Sequence, residues 1–163
     1  MAKNFVKIFE FFLMIFLLVL LSNCSEKFDE NSKQIFIDNG KSLIKIKVEI
    51  ADDNQERAKG LMFRERLGEN NGMLFIFDDN DYQTFWMKNT LIPLNIIFID
   101  KDLKIMDIKP AVPCFKDPCI LYKSSKPVKY VLEVDGNFTT RNNIKMGNMI
   151  VIKQLWLNSP PFG

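Results

Sequence analysis

Ile44-Lys45-Ile46-Lys47-Val48-Glu49-Ile50 alternates apolar and charged residues without a break. A period of two sends successive side chains to opposite faces, so this stretch reads as a strand with one buried and one wetted side. The alternation returns downstream, where Val128, Tyr130, Leu132 and Val134 interleave with Lys129, Val131 and Glu133 before Asp135-Gly136 ends the run. Between them, residues 73–77 form a short apolar run stopped by Asp78-Asp79-Asn80-Asp81, and residues 82–87 make an aromatic-rich strand. Residues 95–99 and 103–108 flank Asp100-Lys101-Asp102, a hairpin reversal, and residues 149–152 are the last strand candidate. Asp52 or Asp53 is placed to cap a short helix running through Lys59 and ended by Gly60, and residues 138–144 allow a second before Gly147. About seven short strands with one or two small helices predict a mainly β domain, a compact β-sandwich or barrel.

The first residues do not belong to that domain. Lys3 and Lys7 precede eleven unbroken apolar residues at 11–21, and the chain turns polar after Cys24, which is the order of a secretory signal. Eleven helical residues rise only about 16 Å against a bilayer core of roughly 30 Å, so an ordinary span is disfavoured. Leu21-Ser22-Asn23-Cys24 resembles the lipobox of bacterial lipoproteins, in which the thiol takes a diacylglycerol and becomes the first mature residue; Asn23 stands where Gly or Ala is usual. The alternative is a plain signal peptide cut near a cysteine. The expected layout is a signal peptide at 1–23, a lipidated N-terminus and tether at 24–33, a β domain at 34–153 and a tail at 154–163 carrying Trp156 and Pro160-Pro161.

Charge and composition exclude several chemistries. Without Lys3, Lys7 and Glu10 the chain holds twenty basic and nineteen acidic residues, and so small a balance argues against nucleic acid as a partner. No histidine occurs, which removes histidine-based triads and every histidine metal ligand. No cofactor or metal is implied.

Several blocks resemble one family. They are Arg57-Ala58-Lys59-Gly60-Leu61-Met62-Phe63-Arg64, Gly72-Met73-Leu74-Phe75, Phe85-Trp86-Met87-Lys88-Asn89-Thr90-Leu91-Ile92-Pro93-Leu94, the Pro113-Cys114 and Pro118-Cys119 pairs, and Tyr130-Val131-Leu132-Glu133-Val134. Together they are similar to DUF192, uncharacterised bacterial and archaeal proteins often exported behind a signal peptide, over residues 44–152. The resemblance implies a jelly-roll-like β-sandwich and no established activity. Asn95 stands where that family usually has Asp, which removes a carboxylate from the position.

Five residues are candidates for a ligand site: Arg57, Trp86, Lys88, Asn89 and Glu133. Lys88, Asn89 and Thr90 follow an aromatic strand and precede Pro93, which puts a cation, an amide and a hydroxyl at a strand end beside an indole. Such a group suits a pocket for an anionic ligand with Trp86 as a stacking face. The alternative is a core Trp86 with Lys88 ion-paired to Glu133, because buried charges are normally paired. Arg57 can grip a carboxylate or phosphate in two-pronged fashion, or else lie on a solvated helix face beside Glu56. Glu133 is the only acid in its strand and has no paired carboxylate at a telling spacing. Cys114 and Cys119 most simply form a disulfide in an oxidising compartment; a zinc site would lack two ligands, and four intervening residues do not fit a thioredoxin-like redox pair.

The sequence therefore favours a membrane-anchored, extracytoplasmic binding module in the cell envelope, with a small-molecule or saccharide ligand. The alternatives are a hydrolase or lyase using Glu133 with Lys88, which no nucleophile elbow or phosphate loop supports, and a structural partner of an envelope protein.

Overall fold

The computed structural model describes residues 33–152; the signal segment, Cys24, the tether up to residue 32 and the tail with Trp156 lie outside the described residues. Among the described residues, nine strands and two short helices follow one another as β1 (Lys33–Asp38), β2 (Leu43–Ala51), α1 (Asn54–Lys59), β3 (Asn71–Asp81), β4 (Thr84–Trp86), β5 (Leu94–Ile99), β6 (Ile105–Ala111), β7 (Leu121–Lys123), β8 (Val128–Asp135), α2 (Phe138–Arg141) and β9 (Met149–Ile152). Seven strands make one sheet in the order β6-β5-β8-β3-β2-β1-β9, and β4 pairs with β7 in a small second sheet. The mainly β expectation holds, as a curled seven-stranded half-barrel.

The curl follows from the alternation. Ile46 and Val48 of β2, Ile35 and Ile37 of β1, Leu132 and Val134 of β8, and Ile97 and Ile99 of β5 all point to one cluster and are essentially sealed from solvent. That cluster also takes Ile105 from one edge strand and Ile150 from the other, so it is the inside of the curl. The two edges are laced together at one end: Ile105 N–H donates to Asn148 O at 2.9 Å, and Ile150 N–H to Leu103 O at 2.8 Å. Phe138 of α2 is buried in the same cluster. α2 is held there by Asn95, whose Oδ1 accepts from Thr139 N–H at 3.1 Å and from its hydroxyl at 2.7 Å. Asn95 is thus a buried structural acceptor.

One pairing was not legible in the alternation: β2 runs parallel to β3, with Glu49 opposite Met73 and Ala51 opposite Phe75. A parallel neighbour needs a crossover, which α1 and residues 60–70 provide. Asp53 caps α1 by accepting from Glu56 N–H at 2.8 Å, as the sequence predicts. Gly60 ends it at φ 47° and ψ −135°, a conformation that glycine alone adopts without strain.

The crossover lands on the outer face of the sheet. There Met73, Phe75, Ile96, Phe98 and Val131 meet Leu61 from the crossover and Met87 beyond β4, forming a second buried cluster. Phe85 of β4 stands edge-on to Phe75 at 5.0 Å and to Phe98 at 6.1 Å between ring centroids. The small sheet is therefore a cap over the outer core, anchored by its inward aromatic ring.

Candidate functional site

The cap carries the exposed chemistry. Its strands show alternate faces: Phe85 and Tyr122 pack against the outer core, whereas Trp86 and Leu121 are cross-strand partners and both exposed. Trp86 is 47 % exposed, so its indole is an open face and not a core ring. β4 stops at Trp86, and the chain then makes a tight turn in which Thr90 N–H donates to Met87 O at 3.1 Å. Asn89 supplies the left-handed residue of that turn, at φ 59°, a conformation asparagine tolerates better than most. Its carbonyl accepts from Phe63 N–H at 2.8 Å, tying the crossover to the cap. Asn89 is engaged chiefly through its backbone.

Lys88 returns to Trp86 through its long side chain, with Nζ 5.4 Å from the ring centroid, a cation–π distance. Its ion partner is Asp117, at 2.9 Å, and not Glu133. Asp117 is exposed and belongs to the loop closed by the Cys114–Cys119 disulfide, whose Cα atoms are 5.7 Å apart. Cys114 N–H donates to Met87 O at 3.2 Å, which docks the loop beside the turn. Between loop and turn lies a hollow of about 220 Å³ lined by Met87, Val112, Phe115, Pro118, Ile120 and Tyr122 among others. Reducing the crosslink, or replacing Cys114 with Ser, should cost about 2 kcal/mol on the chain-entropy model for so short a loop. Denaturant unfolding with and without reductant checks this, and unchanged stability would contradict it.

The other two candidates sit elsewhere. Arg57, on α1, spends its guanidinium on Ile76 O at 2.7 Å, on the backbone oxygen of Asp52 and on Asn54 Oδ1 at 2.8 Å, and it lies 5.6 Å from the Phe77 ring. It clamps the crossover to β3. Arg64 makes a two-pronged ion pair with Glu49, its Nη2 2.6 Å from Oε2. Glu133 is buried under the crossover: a Cβ built on Gly60 would lie 4.0 Å from its Oε2 and 3.3 Å from the Phe75 ring. Across the sheet it is flanked in register by Met73 and Ile96. Burial in this apolar setting, with no charge or hydrogen bond to offset it, pushes the Glu133 carboxyl up to about 8.

The structure thus brings Trp86 and Lys88 together, adds Asp117 to them, and separates them from Arg57 and Glu133. Asp117 escaped the sequence reading because it lies 29 residues from Lys88. The signal available was that residues 111–130 contain no other acid. A second, open cleft of about 540 Å³ lies by Arg66, Glu69, Asp135 and Arg141, and none of the candidate residues lines it. Among the described residues no cluster of three metal-ligating side chains occurs.

Two solved structures share the fold at a TM-score of 0.68. A protein of unknown function from Novosphingobium aromaticivorans is 36% identical, covering 73% of this chain and 84% of its own. A protein from Sinorhizobium meliloti, described as a proposed transcription regulator, is 31% identical and covers 73% of this chain and 92% of its own. No curated protein matches the chain. The family model of DUF192, "Uncharacterized ACR", matches residues 35–152, a span that takes in both sheets, the crossover with Gly60, the Trp86–Lys88 turn, the disulfide loop and Glu133, and the chain belongs to that family.

Proposed function

We propose that this protein is an extracytoplasmic lipoprotein, held to the membrane through acylated Cys24, whose β domain binds a small or oligomeric envelope ligand on the cap. The observation that carries the ligand reading is the half-exposed Trp86 with Lys88 Nζ 5.4 Å from its ring; neither lines the neighbouring hollow, whose mixed polar and apolar wall includes Met87, Lys116 and Tyr122. An aromatic face, a cation and an adjoining concavity recognise an anionic or saccharide group by stacking and charge. The cap is a fixed platform, because the disulfide and the Met87–Cys114 hydrogen bond hold it before any ligand arrives. A hydrolase or lyase joining Lys88 to Glu133 is poorly supported, since Lys88 pairs with Asp117 at the cap whereas Glu133 lies on β8 of the main sheet beneath Gly60 of the crossover.

Thermal-shift screening of wild type and Lys88→Met against anionic oligosaccharides and organic acids tests the site. A ligand that stabilises wild type and not the variant is expected, and one that stabilises both equally removes Lys88 from the site. Palmitate labelling of wild type and Cys24→Ser tests the anchor: label is expected on wild type alone, and equal labelling of both sinks it.

A further inference from the structure

The outward side of the cap is uncovered, apolar and basic at once. Trp86 and Leu121 stand side by side across the small sheet, Ile120 follows Leu121, and Val112 and Phe115 rim the hollow; Phe115, at the loop, is 81 % exposed. Single exposed apolar residues are ordinary, but a contiguous group fixed outward by a sheet and a disulfide marks a contact surface. The cap is basic as well: its strands, turn and disulfide loop (residues 84–90 and 111–123) hold Lys88, Lys116 and Lys123 against Asp117, while Asp78, Asp79 and Asp81 stand just before β4. Lys88 and Asp117 pair with each other, so the excess charge is that of Lys116 and Lys123.

From this strip we infer that the cap lies against the anionic surface of a lipid bilayer, with Trp86, Phe115 and Leu121 at headgroup depth and the surrounding lysines at lipid phosphates. Aromatic and aliphatic side chains ringed by lysines whose stems are themselves apolar are what such a surface holds by partial burial and charge attraction. Chain connectivity keeps the domain as a whole within reach of such a surface. The apolar run at 11–21 and Cys24 stand upstream, and only residues 25–32 intervene before the first described residue, a span of at most about 28 Å. Nucleic acid is the less fitting polyanion: these segments hold no arginine, and Val112, Ile120 and Leu121 have nothing to bind on a phosphate backbone. The inference rests on the proposed membrane anchor and names the partner of the proposed cap site.

The test uses the full chain with Trp156→Phe, which leaves Trp86 as the single tryptophan, reconstituted into vesicles of phosphatidylcholine with phosphatidylglycerol. Brominated acyl chains are expected to quench Trp86 and its emission to shift to the blue. Both effects should be lost in a Phe115→Glu, Leu121→Glu variant that keeps the wild-type circular dichroism spectrum and stays with the vesicles. They should also weaken in phosphatidylcholine alone. Trp86 equally bright with brominated and ordinary lipid overturns the inference, as does equal quenching in the double variant or protection of Trp86 by duplex DNA in place of lipid. If labelling at Cys24 and the Lys88-dependent ligand shift persist while quenching is absent, the proposed function stands and the bilayer contact falls.

Discussion

Glu133→Gln should make the protein more stable at neutral pH and should abolish most of its pH dependence between about 4.5 and 8. The side chain is 5 % exposed, beneath Gly60 and between Met73 and Ile96, and burial raises its carboxyl from 4.5 to about 8. Below pH 4.5 the folded and unfolded chains both hold the proton, and the group has no effect on stability. Between 4.5 and 8 the unfolded chain has released the proton while the folded chain keeps it, so each pH unit removes about 1.4 kcal/mol. Above 8 both forms are ionised and the loss is complete, of order 5 kcal/mol. At pH 7 the glutamine variant should therefore lead by about 3 kcal/mol, less whatever its own unpaired amide costs. The chain has no histidine to titrate in the same window. Urea unfolding of both proteins at pH 5, 7 and 9 measures the slope. Parallel losses in wild type and variant would show that Glu133 is not the group responsible.

Phe75→Ala is expected to cost about 3–5 kcal/mol and to flatten that same slope. The ring is 1 % exposed, packs edge-on against Phe85, and fills the space under Gly60 beside the Glu133 carboxyl. Deleting it loses the transfer energy of the ring and opens a cavity in the outer core, and that cavity has a polar wall at Glu133. Water entering there solvates the carboxylate and draws its titration back toward the ordinary range. A hydrophobic cavity alone would lower stability equally at pH 5 and pH 8, so the difference between the two readings separates the effects. If the alanine protein does not fold, Phe75→Leu offers a milder version of the same comparison. A loss below about 1 kcal/mol, or an unchanged slope, would contradict this account.

How much of this could be read from sequence depended on range. The alternation at residues 44–50 and 128–134, the Asp53 cap, the Gly60 stop and the hairpin at Asp100-Lys101-Asp102 are local signals, and each appears in the structure. β1 and β7 carry no clear local signal: β1 adjoins the polar tether segment, and β7 is three residues long. The polar run Asp78-Asp79-Asn80-Asp81 reads as a turn yet continues β3, because Asp81 still pairs with Val128 after a break in register. Trp86 and Lys88 could be brought together from spacing, whereas the Lys88–Asp117 pair and the burial of Glu133 under the crossover depend on the parallel β2–β3 pairing and the cap, which no local pattern encodes. The isolation of Glu133 among apolar strand neighbours was visible, but what lay above it was not.

The strand that finishes the curl is the last one made. β9 bonds to β1, the first strand, and the residues leading into β9 and within it also lace onto 103–105, so Asp38 finds Met149 only when nearly all of the domain exists. Pairing the extremes of a chain is slow, because the intervening length must be gathered before any reward is collected. A nascent or truncated chain ending before residue 149 lacks the β1–β9 pairing and the bonds to 103–105, so the curl is left open along that rim until β9 is present.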